Sequence, residues 1–198
     1  MNYKVCIEDI KTENGEPLYH SDGELKPVYI ENLPDTYKVY KEVFKASESR
    51  YWSFIRVHIH KNNQEIYHFD RNYPSLPESI YVKQRGKEFI ITSGDYQTVT
   101  IINLTDLTME SYCDEYRHKK GWGFCPTEFD SSYDIDDSDD EEIELRITGC
   151  YWAGSYETYI FPNIDLLNPN LDFSMAECIP EDPEDDYDDE DEEDEEYE

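Results

Sequence analysis

The sequence predicts a mainly β domain of stacked antiparallel hairpins, with one short helix and an acidic C-terminal tail. Three observations point there. Apolar and polar residues alternate with period two in several short runs, turn-forming clusters separate those runs, and only one segment carries a helical period. The domain is expected over residues 1–178 and the tail over residues 179–198.

In chain order, the helical candidate comes first. In Thr36–Tyr51, "TYKVYKEVFKASESRY", Tyr37, Tyr40, Val43 and Phe44 share one side of a helix, and Asp35 after Pro34 can cap its start. The pattern predicts a short helix near Lys38–Ser47. Tyr51–His60 then alternates Phe54, Arg56, His58 and His60 against Ile55, Val57 and Ile59. Lys61-Asn62-Asn63-Gln64 turns the chain into Glu65–Phe69, which makes a hairpin. Ser79–Lys83 and Glu88–Ser93 repeat the design around Gln84-Arg85-Gly86-Lys87, and Thr98–Leu104 adds a third strand. The β-branched content of these runs suits a pleated, half-buried surface. "WGFCPTEF" and "EIELRITG" flank an Asp-rich run, so that run, residues 128–144, reads as the tip of a long hairpin.

Charge divides the chain. It has 198 residues and a net charge of −31, from 48 acidic and 17 basic residues. The last eighteen residues hold fifteen carboxylates and no aliphatic side chain, and Glu128–Glu144 holds ten more with no Lys or Arg. Such a tail cannot bury enough apolar area to offset its ordering entropy. Outside the two runs, 23 acids face all 17 basic residues, a net of −6. Direct nucleic-acid binding is therefore not expected, because phosphate contacts need clustered Lys and Arg. A basic protein is the electrostatic partner this charge favours. The N-terminus lacks the order of a signal peptide, and no apolar run is long enough for a membrane helix, so an intracellular, cytoplasmic protein without membrane association is expected. Five cysteines at scattered spacings fit reduced thiols rather than a disulfide framework.

An internal similarity runs through the second half. Glu88–Leu107 aligns with Glu144–Leu167: Ile91 falls on Ile147, Thr92 on Thr148, and Val99–Ile102 on Thr158–Phe161. Phe54–Leu76 reads as a more degraded third copy. The order "SGDYQTVTIINL", "GWGFCPTEF", "ITGCYWAGSYE" and "FPNIDLLNP" resembles a family of small, uncharacterised β-rich proteins of bacteria and large DNA viruses. The resemblance covers about residues 78–169 and rests on D-Y-Q, G-x-G-F-C and G-C-Y-W-A motifs. It implies blade-like sheets of a partial β-propeller and no reaction. This chain departs from the pattern in its long Asp-rich run and in Gly154, where a Cys is common.

Four sets of residues can carry chemistry. Cys150 as a nucleophile needs a base, and His118 and Glu157 are the available ones. The other reading, which "CYWAG" favours, is a small buried side chain beside Tyr151 and Trp152. Cys113, His118, Cys125 and Cys150 lack the C-x2-C spacing of a zinc knuckle. His58, His60 and His68 share one face of the first hairpin, which suits either zinc or copper or a plain solvated face. "DIDDSDDEE" places oxygens at alternate positions but lacks the Gly and the final Glu of an EF-hand loop, and Ser138 sits in an acidophilic kinase context.

Aromatic residues remain, with 18 Tyr and 3 Trp. Tyr96, Trp122, Tyr151, Trp152 and Tyr156 are expected near turns at one end of the sheets, where Tyr and Trp anchor interfaces; the alternative is that they fill the core. The expected function is a non-enzymatic protein-binding module without a cofactor, its acidic tail engaging basic proteins. The alternatives are a cysteine- or metal-dependent hydrolase and a histone-chaperone-like acidic protein that mimics nucleic acid.

Overall fold

A computed structural model describes residues 6–47, 52–114, 123–132, 143–151 and 154–180. Within them lie thirteen strands: β1 (Tyr19–His20), β2 (Leu25–Val28), β3 (Tyr37–Ala46), β4 (Phe54–Lys61), β5 (Gln64–Arg71), β6 (Ile80–Gln84), β7 (Lys87–Thr92), β8 (Val99–Asn103), β9 (Thr108–Tyr112), β10 (Phe124–Ser132), β11 (Ile143–Tyr151), β12 (Tyr156–Ile164) and β13 (Glu177–Pro180). A single 3-10 turn, Ile7–Asp9, is the only helical element among the described residues.

The strands form three antiparallel sheets. In the first, β3, β4 and β5 run in order, and β1 and β2 pair with the two halves of β3; the second is β6-β7-β8-β9 and the third β10-β11-β12-β13. Local turn chemistry sets the hairpins. Asn62-Asn63 between β4 and β5 have φ of 53° and 64°, and Arg85-Gly86 between β6 and β7 have 49° and 72°. Those are the paired positive φ values of a two-residue turn whose twist matches its strands. Adjacent sheets are joined along their leading segments. Glu31 pairs in parallel with Ile80, donating to the Ser79 carbonyl and accepting from Tyr81 N–H, each at 2.8 Å. Glu78 does the same beside β10, with Thr127 and Phe129.

The core explains the composition of the second sheet. Tyr81, Ile90, Ile102 and Leu104 pack on the first sheet with Tyr37, Val39, Ile55, Val57 and Ile59. Ile80, Val82, Phe89, Ile91, Val99 and Ile101 pack on the third with Phe129, Ile143, Leu145 and Ile147. Apolar neighbours thus cover both faces of the second sheet, so Phe89–Thr92 and Val99–Ile102 are buried without alternation. The outer sheets alternate: Ile55, Val57 and Ile59 point inward, and Arg56, His58 and His60 outward. Each buried aliphatic side chain contributes about 1.5–3 kcal/mol. Ile7, Leu18 and Tyr19 lay the N-terminal segment on Phe44 and Phe54 of the first sheet.

The mainly β class and the antiparallel hairpins are as expected, and the short helix is not. Residues 38–46 belong to β3. Tyr37 and Val39 are buried, while Lys38 is exposed. A run of Tyr, Val and Phe satisfies period two as well as period 3.6, and β-branched and aromatic side chains favour the strand once β2 and β4 offer hydrogen bonds on both sides. The expected hairpin around the Asp-rich run is β10 and β11, and Glu128–Ser132 and Ile143–Glu144 lie within its strands. Residues 133–142 and the tail, 181–198, lie outside the described residues.

Candidate functional site

Three aromatic rings meet where the first and second sheets adjoin. Trp52 precedes β4, Tyr73 follows β5, and Tyr96 occupies the turn between β7 and β8. Their centroids lie 4.8 Å (Tyr73–Tyr96), 5.5 Å (Trp52–Tyr73) and 6.4 Å (Trp52–Tyr96) apart. Trp52 is 56% exposed, while Tyr73 and Tyr96 are half-buried.

Arg71, the last residue of β5, holds these segments together. It is 3% exposed, and its guanidinium donates to the carbonyls of Ser75 (2.7 Å), Asp95 (2.9 Å) and Ser93, and to the Ser93 hydroxyl. The chain just after Tyr73 and the chain just before Tyr96 are thereby fixed on one cation, which lies 5.7 Å from the Tyr73 ring. Asn72 adds a bond, its side-chain oxygen accepting from Tyr96 N–H at 3.2 Å. Burial brings the Arg71 pKa down to about 10, with the Asp95 charge opposing, so the side chain remains a cation at neutral pH.

A row of side chains continues from Tyr96 across the third sheet. The Tyr96 hydroxyl bonds to the Cys125 thiol, and burial together with that bond pushes the phenol up to about 12. Cys125 on β10 stands opposite Cys150 on β11, which stands opposite Tyr156 on β12. Direct cross-strand partners project from one face, so Tyr96, Cys125, Cys150 and Tyr156 form a continuous row. All five cysteines carry free thiols. Burial raises the pKa of both Cys125 and Cys150, the reverse of what a nucleophilic thiol needs. Glu157, one of its two candidate bases, pairs with Gly149 and so lies on the opposite face from Cys150; His118 lies outside the described residues.

Of the aromatics expected at this end, Tyr96 and the 45% exposed Tyr156 are in the row. Tyr151 is not: it is 4% exposed, packs on Phe124 in the core, donates to Asp114 Oδ2 at 3.0 Å and shares a 2.7 Å bond with the Tyr159 hydroxyl. It follows Cys150 on a strand and must face the other way. Trp122 and Trp152 lie outside the described residues. Trp52, Tyr73 and Arg71 have no sequence motif; only the strand ends around them hinted that they stand near a rim.

The three histidines do share the outer face of the first sheet. His58 pairs with His68 across β4 and β5, and Glu65 bridges them, its carboxylate bonding His58 Nδ1 at 2.9 Å and His68 Nδ1 at 3.0 Å. His58 Nε2 lies 3.4 Å from Glu42, and Tyr40 meets His60 edge-on at 5.2 Å. Burial works against the Glu65 charge, but the two imidazole bonds win and hold its carboxyl below the usual glutamate range. Among the described residues, no three His, Cys, Asp or Glu side chains are grouped as a metal ion requires. No described helix is long and apolar enough to cross a membrane.

Comparison with known proteins adds no relative: no family model, curated protein or solved structure matches the chain.

Proposed function

We propose that this chain is a non-enzymatic protein-binding module, a β scaffold that presents Trp52, Tyr73, Tyr96 and Tyr156 to a protein partner. The observation that carries the reading is the Trp52–Tyr73–Tyr96 cluster, a partly exposed aromatic surface on a clamped, pre-organised support. Large aromatic side chains held in place anchor interfaces at low entropic cost. The rings touch one another, so they offer a continuous face and no gap that would enclose a single cation. An apolar or proline-containing segment fits such a face.

The architecture supports reading the three sheets as blades of a partial β-propeller, in keeping with the family resemblance. Glu88–Leu107 and Glu144–Leu167 supply the second and third strands of their respective sheets, and the leading segments of the three sheets run side by side. Blade ends in such an arrangement gather loops from distant parts of the chain, as Trp52, Tyr73 and Tyr96 are gathered here.

Charge selects the partner class. The runs at 128–144 and 181–198 carry 25 of the 48 acidic residues, and they draw a basic protein toward the aromatic face or hold it independently, as a polyanion competing with nucleic acid would. Two measurements separate these roles. Capture of partners from a lysate should be lost with Trp52→Ala and kept with Trp52→Phe; an unchanged set of captured proteins would end the aromatic-face reading. Binding to purified core histones should weaken steeply between about 0.1 and 0.5 M salt, as the Debye length falls from ~10 Å to about half that, and should vanish when residues 181–198 are deleted. If affinity survives the deletion at low salt, the tail serves solubility alone.

A further inference from the structure

We propose that Cys125 and Cys150 form a redox-active dithiol that closes reversibly to a disulfide when met by a low-molecular-weight disulfide such as oxidised glutathione. The site follows from register. The two residues are direct partners on β10 and β11, in a ladder that runs from Phe124↔Tyr151 to Ser132↔Glu144. Directly opposed residues of an antiparallel pair have Cα atoms about 4.5–5.5 Å apart and side chains on one face. That separation falls inside the roughly 4.4–6.8 Å span that a disulfide bridges. Register thus sets the two side chains side by side on one face, within the range a disulfide spans.

The surroundings divide the work between the thiols. Cys150, between Cys125 and Tyr156 in the row, is partly exposed, so a small disulfide can reach it, and its cross-strand neighbour Cys125 is 3% exposed. The Cys150 thiolate attacks one sulfur of the small disulfide, forming a mixed disulfide and expelling one small thiolate. The Cys125 thiolate then attacks the Cys150 sulfur, closing the protein bridge and expelling the second. Two electrons pass from the protein pair to the small disulfide, and the two protons lost by the cysteines end on the two small thiols. Because burial raises both thiols above the ordinary range, the reaction speeds up as pH rises through and beyond about 8.5. The other three cysteines are placed differently: Cys178 lies opposite Tyr159 on β13, Cys113 follows β9, and Cys6 precedes the N-terminal 3-10 turn.

Closure turns the Cys125 thiol, the partner of the Tyr96 hydroxyl, into a disulfide sulfur. The state of the pair is thus felt next to the Trp52–Tyr73–Tyr96 cluster. The chemistry does not depend on that cluster binding a partner.

Full-length protein treated with oxidised glutathione, alkylated and digested without reduction should yield a linked peptide joining Cys125 to Cys150, which dithiothreitol releases. Cys125→Ser should instead trap the mixed disulfide on Cys150, at about tenfold or more its level in the unaltered protein, because the resolving thiol at high effective concentration is gone. Circular dichroism checks that the variant folds; if it does not, the peptide map of the unaltered protein decides. A mixed disulfide on Cys150 that persists while Cys125 is present overturns the proposal. So does a bridge from either residue to another cysteine, or no reaction at this pair under conditions that modify Cys178.

Discussion

The side chain of Gln84 and the backbone of Leu166 are locked together in the core. Gln84 Oε1 accepts from Leu166 N–H at 2.6 Å while its Nε2 donates to the Ile164 carbonyl at 2.8 Å. Gln84 is fully buried at the end of β6, and its two bonds close the chain leaving β12 onto the second sheet. Gln84→Leu preserves bulk but strands two backbone groups, at about 1–3 kcal/mol each. Urea denaturation should show a loss of about 2 kcal/mol or more; a loss below about 1 kcal/mol would mean that the joint is re-satisfied by other groups or water.

Glu88 ties the first two sheets together. It accepts from Tyr37 Oη at 2.8 Å, Lys61 Nζ at 2.9 Å and Tyr81 Oη at 2.9 Å. Burial disfavours the Glu88 charge, but these bonds outweigh it and hold the carboxyl below its usual range. A depressed carboxyl contributes stability that is complete above the unfolded value of about 4.3 and is lost as pH falls through the folded value. Glu88→Gln should cost about 1–2 kcal/mol at pH 7, and the gap between variant and parent should close on acidification below about pH 4. A gap that stays constant down to pH 2 would assign the loss to hydrogen bonding without charge.

Asp70 anchors the N-terminal segment. Its carboxylate, on a side chain only 5% exposed, takes Arg56 Nε at 2.7 Å and Nη2 at 3.0 Å, and accepts from Ile7 N–H at 2.8 Å. Asp70→Ala leaves Arg56 with the exposed Glu8, at 3.1 Å, as its remaining ion-pair partner among the described residues, beside the Phe44 ring it overlies. A buried pair broken on one side costs about 3–5 kcal/mol, and partial exposure of Arg56 places this case at the lower end. Hydrogen exchange at the Ile7 amide should accelerate in parallel. Asp70→Leu combined with Arg56→Met should recover at least half of the lost stability; failure to recover would show that the Ile7 bond, rather than the ion pair, carries the anchor.

Gly149 accounts for part of the G-C-Y-W-A string. A Cβ there would stand 2.4 Å from the Cys125 carbonyl oxygen and 2.7 Å from the Phe124 ring, where the ladder shifts register after Pro126. Backbone cannot yield as a flexible side chain does, so Gly149→Ala should cost about 2 kcal/mol or more through strain, measured by thermal denaturation. Unchanged stability would mean that the β10–β11 ladder relaxes at that shift.

The strands and hairpins are readable from local chemistry. Alternation in Phe54–His60 and the Asn62-Asn63 and Arg85-Gly86 turns act over a few residues, and they reappear as β4–β5 and β6–β7. The same locality misleads at residues 38–46, where Tyr, Val and Phe fit two periods and only the neighbouring strands decide between them. The face that presents Trp52, Tyr73 and Tyr96 is not local at all. Its rings come from three separate segments, and a buried Arg71 with no neighbouring motif fixes their meeting through carbonyls of Ser75, Ser93 and Asp95. Cys125 and Cys150 look scattered along the chain because cross-strand register, set by the length and irregularity of the whole β10–β11 ladder, makes them neighbours. Tyr151 is buried while Cys150 beside it is not, since successive side chains of a strand leave on opposite faces and the third sheet has one apolar side. Composition and period determine which segments are strands; the stacking of sheets and the register within them determine which side chains meet, because those contacts join residues whose separation along the chain carries no periodic signal.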